Sequence, residues 1–201
     1  MRFSHSRASG NPGFSIACWI PAPRFRGDKF RGDDANQAYG VDSAMKSSVV
    51  FVCTGNICRS PTAEGVFRKL AADAGLADRI LVDSAGTHGY HVGEPPDPRT
   101  REAAARRGYD LSPLRARQFE RQDFNRFDLV VAMDRDNHAI LARLAQPSAG
   151  HKLRMMMEFA RNFEESEVPD PYYGGPLGFE RVLDMLEDAS RGLLEMLRRE
   201  P

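Results

Sequence analysis

The run Ser48-Val49-Val50-Phe51-Val52-Cys53 constrains this chain more than any other segment. It is short, rich in β-branched residues and apolar without alternation, the pattern of a strand buried on both faces in a parallel sheet. Such a strand needs helices above and below it. A Gly-containing turn follows at once, then Pro61, which suits the first turn of a helix, with Ser60 as the candidate N-cap. Phe67, Leu70, Ala71 and Ala74 carry that helix's apolar stripe until Gly75 stops it. The alternation then repeats. Ile80-Leu81-Val82 reads as a second strand, Thr100 to Arg107 as a helix ended by Gly108, and Asp128 to Met133 as a third strand. A helix near Arg135–Leu144 comes next, and Lys152 to Met157 reads as a fourth strand. Phe179 to Arg199 is the clearest helix, with Val182, Leu183, Leu186, Ala189, Leu193, Met196 and Leu197 at three- and four-residue spacing. The pattern predicts an α/β fold: a single three-layer domain with a central, mainly parallel four-stranded sheet flanked by helices. Sites in such sheets lie at the carboxyl ends of the strands, and Cys53 sits at one.

The chain's 201 residues suit one domain, and residues 46–201 carry the whole pattern. Residues 1–45 show no periodicity and are rich in Gly, Pro, Ser, Asn and Arg, with a near-repeat of Phe-Arg-Gly-Asp at 25–28 and 30–33. They read as a disordered or non-native extension, with Met45 as an alternative start. Lys plus Arg and Asp plus Glu are 28 each, so the zero net charge argues against a general nucleic-acid binder. No apolar run reaches the roughly 18–20 residues that span a bilayer. The stretch from Phe14 to Ile20 is short and meets Pro21, unlike a secretory signal. Three cysteines are too few for a disulfide scaffold and fit a reducing compartment. A soluble, cytoplasmic protein is expected.

The chemistry is concentrated in Cys53-Thr54-Gly55-Asn56-Ile57-Cys58-Arg59-Ser60. A loop between a strand and a helix N-terminus can turn successive backbone N–H groups inward as an anion nest. Gly55 is the residue freest to take unusual dihedrals, and Asn56 tolerates left-handed ones. A cysteine at the mouth of such a nest is held as thiolate. Arg59 offers a planar fork for two phosphoryl oxygens. Spacing alone would be a poor warrant, because Cys18 and Arg24 repeat it. That second stretch follows no strand, lacks glycine and includes Pro21 and Pro23, which have no N–H to give. Taken singly, Cys53 would read as a core cysteine; the turn residues around it point to a nucleophile facing a phosphate cradle.

Residues 48–60, Asp83-Ser84-Ala85-Gly86-Thr87 and Asp170-Pro171-Tyr172-Tyr173-Gly174 together resemble the low-molecular-weight protein tyrosine phosphatases, over roughly residues 46–199. The resemblance implies hydrolysis of phosphotyrosine and other aryl phosphates through a phosphocysteine. It assigns Cys53 as nucleophile, Arg59 as clamp on the equatorial oxygens and Asp170 as general acid. Thr54, Gly55, Asn56, Ile57 and Cys58 would form the cradle, Asn56 also bracing it, and Ser60 would hydrogen-bond the thiolate. Tyr172 and Tyr173 match positions flanking the substrate ring, and Tyr90 falls where the family often has an aromatic, though it reads equally as a loop residue. Related protein-arginine phosphatases place a threonine where this chain has Ile57, so Ile57 favours an aryl substrate. No metal or other cofactor is implied. The implied partner is a phosphotyrosine protein, such as the autophosphorylated kinases on which bacterial relatives act.

Two other classes compete. Thioredoxin-coupled arsenate reductases share the loop but need two further cysteines downstream, and none follows Cys58. A phosphotyrosine-binding module would be expected to lack the nucleophile or the acid. His88 and His91 suggest a metal pair only weakly and read better as pocket rim. Met155-Met156-Met157 reads as core or strand packing, and Arg101, Arg106, Arg107, Arg115 and Arg117 as a solvated face. Cys58, in the same tight loop as Cys53, is a candidate partner for it after oxidation.

Overall fold

The computed structural model describes residues 47–173 and 175–199, so the expectations for residues 1–45, the Cys18 stretch and Gly174 lie outside the described residues. Four strands, β1 (Ser47–Cys53), β2 (Ile80–Gly86), β3 (Leu129–Ala132) and β4 (Leu153–Met155), pair in the order β2-β1-β3-β4. All three pairings are parallel. Cys53 lies opposite Gly86 and Val52 opposite Ala132, so the carboxyl ends of the three longest strands finish side by side. Among the described residues, five α-helices follow in chain order: α1 (Arg59–Asp73), α2 (Pro98–Arg106), α3 (Asp123–Arg126), α4 (Arg135–Leu144) and α5 (Pro176–Arg199).

β1 is apolar without alternation because both of its faces are buried. Val49, Phe51 and Cys53 join Phe67 of α1 and Leu186 and Leu193 of α5 on one face. Val50 and Val52 meet Phe124, Leu141 and Val130 on the other. The expected three-layer α/β arrangement is therefore present. Gly75 and Gly108, at φ 71° and 81°, follow the ends of α1 and α2 as expected. Among the described residues no helix is long and apolar enough to cross a membrane.

Several expectations need correction. Helix α1 begins at Arg59 with Cys58 as N-cap, so Ser60 lies inside the first turn and caps nothing. Its hydroxyl is drawn instead to Cys53 Sγ, 3.1 Å away. The fourth strand spans only Leu153–Met155, because Met156–Phe159 tighten into a 3₁₀ turn whose Glu158 accepts from Met155 N at 2.8 Å. Met156 and Met157 are core residues, as read. The arginines are not one solvated face. Arg107 reaches Glu180 (2.7 Å) and Asp184 (2.6 Å) of α5, while Arg117 holds Asp83 (3.0 Å) and the buried Asp123 (2.9 Å).

Candidate active site

Cys53 ends β1 and Arg59 opens α1, so five residues must carry the chain from sheet to helix. The left-handed residue in that loop is Asn56, at φ 56°, which the sequence marked as tolerant of that region. Asn56 is buried and fixed from three sides. Its Nδ2 donates to Ser60 Oγ and Ser84 Oγ, both at 2.9 Å, and its Oδ1 accepts from Arg117 N at 2.9 Å. Gly86 lets β2 press against the loop: a Cβ there would stand 2.8 Å from the Thr54 carbonyl oxygen. The following residues tie in through Thr87 N to Cys53 O (2.8 Å) and His88 N to Thr54 O (2.9 Å).

Arg59 is almost fully buried at the centre of the site. Its Nη1 donates to Asp134 Oδ2 (2.5 Å) and Val168 O (3.1 Å), and its Nη2 to Asp170 Oδ2 (2.8 Å) and Thr54 Oγ1 (3.3 Å). Burial works against its charge, but Cys53, Asp170 and Asp134 outweigh that and hold the guanidinium above the ordinary arginine range. Asp134 was not foreseen. It N-caps α4 through Oδ1 and Asn137 N (2.6 Å), and Asn137 Nδ2 reaches back to Thr54 Oγ1 (3.2 Å). Its place at the carboxyl end of β3 was the signal available in the sequence.

A cleft of about 310 Å³ opens above this floor. Cys53, Thr54, Gly55, Ile57, Cys58, Arg59 and Asp170 line it, with Tyr90, His91, Tyr172 and Tyr173 as further walls. Asn56 and Ser60 are not among the lining residues; they stand behind the loop, Asn56 bracing it and Ser60 reaching Cys53 Sγ. Tyr90 is exposed and stacks on His88 at 5.1 Å, and Tyr172 and Tyr173 meet edge to face at 5.0 Å. His91 belongs to the rim, its Nδ1 held 2.7 Å from Glu94 Oε2. Burial pushes the Cys58 thiol up to about 12, which keeps it protonated beside Cys53.

A cysteine sulfur, a buried guanidinium and a carboxyl group converge in a cleft with tyrosine walls. A flat ester of phosphate fits that chemistry. A family model described as low molecular weight phosphotyrosine protein phosphatase matches residues 48–201. A low molecular weight protein-tyrosine-phosphatase of Streptomyces coelicolor is 49% identical over 159 residues, covering 78% of this chain and 96% of its own. The low molecular weight phosphotyrosine protein phosphatase of Homo sapiens is 40% identical over 158 residues, covering 77% and 98%. The crystal structure of a protein tyrosine phosphatase from Entamoeba histolytica, with Hepes in its active site, matches with a TM-score of 0.74 at 41% identity. That match covers 76% of this chain and 97% of the other. With motifs, fold and sequence in agreement over residues 48–201, this chain belongs to the low molecular weight phosphotyrosine protein phosphatase family.

Proposed function

We propose that this chain is a protein tyrosine phosphatase, hydrolysing phosphotyrosine and other aryl phosphate monoesters through a phosphocysteine, with Cys53 as nucleophile, Arg59 as clamp and Asp170 as general acid. One observation carries the reading: Asp170, 111 positions beyond Arg59, lines one cleft with Cys53 and Arg59, with Arg59 Nη2 2.8 Å from Asp170 Oδ2. In the first step the thiolate attacks phosphorus in line and the P–O bond to the phenol breaks. Arg59 and the loop N–H groups hold the equatorial oxygens. A tyrosine phenolate, with a pKa near 10, leaves poorly unless protonated, and protonated Asp170 supplies the proton. In the second step Asp170, now a carboxylate, takes a proton from water as the oxygen attacks phosphorus. The P–S bond breaks, and Ser60, 3.1 Å from Sγ, donates a hydrogen bond to the departing thiolate.

Ile57 and the tyrosines Tyr90, Tyr172 and Tyr173 suit the ring of the substrate, which is a phosphotyrosine protein; an autophosphorylated tyrosine kinase is the candidate. Residues 46–201 are the catalytic unit, and the three cysteines fit a cytoplasmic setting. Cys53→Ser should abolish turnover of an aryl phosphate yet still bind a phosphate-like oxyanion, because the nest and Arg59 survive. Arg59→Lys should also be severely impaired, a point charge being no substitute for a fork. Normal turnover by Cys53→Ser would sink the mechanism.

A further inference from the structure

Asp170 has two supports, and only one of them survives substrate binding. The first is Arg59, whose Nη2 takes Oδ2 at 2.8 Å. If Arg59 grips the phosphoryl oxygens, as the proposed function requires, that contact must be given up. The second support is the Tyr172 N–H, which donates to Asp170 Oδ1 at 3.0 Å. It works only while the backbone at Tyr172 is itself held. On its amino-terminal side the acid loop is anchored by Val168, a buried residue whose N–H donates to Met133 O at 2.8 Å. The other side needs its own anchor.

Arg99 is that anchor. Its Nη1 donates to the Tyr172 carbonyl at 3.1 Å. Its guanidinium also lies over two rings, 5.3 Å from the Tyr172 centroid and 4.9 Å from that of buried Phe179 in α5. Asp97 fixes the other side of the guanidinium with both carboxylate oxygens, Oδ1 to Nε at 3.0 Å and Oδ2 to Nη2 at 2.8 Å. The guanidinium beside it holds the Asp97 carboxyl below the usual carboxylate range. Asp97 in turn joins the phosphate loop, its backbone N–H donating to Ile57 O at 2.9 Å. A continuous path therefore runs from the phosphate loop through Asp97 and Arg99 to Tyr172, the residue whose own N–H hydrogen-bonds the acid.

We propose that Arg99 is a positioning residue for Asp170, bracing the acid loop against the phosphate loop so that the carboxyl keeps its place when Arg59 releases it to hold the phosphoryl group. Arg99 touches no reacting atom. It acts through the Tyr172 backbone, and the inference rests on Asp170 being the general acid. General acid catalysis supplies about 10²–10⁴-fold, and a misplaced donor forfeits part of that.

The test is the rate of phosphoenzyme formation in single turnovers, across aryl phosphates whose phenols span a range of acidity. Arg99→Ala should slow phosphotyrosine by about tenfold, a fraction of the full acid contribution, and slow other substrates progressively less as their phenols become more acidic. Merely losing folded protein would lower every rate by one factor and leave the slope alone. Asp97→Asn keeps an oxygen to cap α2 but weakens the grip on Arg99; it should steepen the slope in the same sense by a smaller amount, and it gives the answer if Arg99→Ala fails to fold. In an Asp170→Asn background, Arg99→Ala should add no further steepening, since the group it positions is gone. A uniform fall, an unchanged slope in both variants, or full additional steepening on Asp170→Asn would each overturn the role of Arg99. If Asp170→Asn by itself left the slope as in the parent, the failure would lie with the acid assignment instead.

Discussion

Glu64, on α1 behind the phosphate loop, is 3% exposed and accepts from Ser84 Oγ at 2.6 Å. Burial pushes its carboxyl up to about 7 from an ordinary 4.5, against the pull of Arg68 at 2.8 Å. Between those values the native state binds more protons than the unfolded chain, so stability falls as pH rises from about 4.5 to 7 and levels off above that. The full effect is on the order of 3 kcal/mol. Glu64→Gln removes the titration. Urea unfolding should therefore show the stability difference shifting in the variant's favour by that order across the window, and a constant difference would mean that Glu64 is ionised throughout. At Cys58 the raised thiol suits a resolving partner rather than a nucleophile, the role proposed for Cys53. Peroxide converts a reactive thiolate to sulfenic acid, and a neighbouring thiol can close a disulfide with loss of water. Cys58→Ser should keep most turnover but recover less activity with added thiol after peroxide; equal recovery would leave Cys58 a passive N-cap. The residues that sequence revealed best were those whose chemistry is local to a turn, Cys53 and Arg59 above all. Asp134 escaped because its partner is 75 positions away. Asn56 and Ser60 were legible only through the family resemblance, since nothing in the string Cys-Thr-Gly-Asn says which way a side chain points.

Among the elements, α5 shows where packing overrules propensity. Gly192 lies within this helix, where alanine would ordinarily be favoured by about 1 kcal/mol. A Cβ at that position would stand 2.0 Å from the Phe159 carbonyl oxygen, a backbone atom that cannot swing away. Overpacking of this kind costs roughly 1–3 kcal/mol. Gly192→Ala should therefore lower the melting temperature by roughly 2–6 °C, opposite to a pure propensity effect, and a rise would show that α5 can slide off the turn beneath it. Long periodic elements were legible: α4 spans Arg135–Leu144 as read, and α5 starts only three residues before its expected Phe179. Helix α3 was not, because its four residues are barely one turn and offer no period to detect. The fourth strand was overrun because Met155, Met156 and Met157 look alike in sequence, while the backbone turns after the first of them.

In the whole molecule the cleft is lined by three separate segments, the loops after β1 and β2 and the approach to α5, while Asp134 at the start of α4 holds Arg59. An oxyanion bound there should stabilise the native state as a unit. Phosphate at about 100 times its dissociation constant should add about 2.7 kcal/mol and raise the melting temperature by several degrees, and Arg59→Lys should blunt the rise. An equal rise in both would place the anion elsewhere. This architecture was readable because β1, with no polar face, permits little but a covered parallel sheet, and such a sheet dictates where a site forms.

The grip of Asp134 and Asp170 on Arg59 has a consequence for traffic through the site. The guanidinium already faces two carboxylates of its own chain, so an arriving phosphate does not meet a bare cation. It must take the place of Asp170, and its affinity is the difference between two ion pairs rather than the worth of one. Inorganic phosphate, once formed, faces the same rival from within. The protein carries its own competing anion, which weakens the hold on product as well as on substrate and lets the catalytic cycle restart.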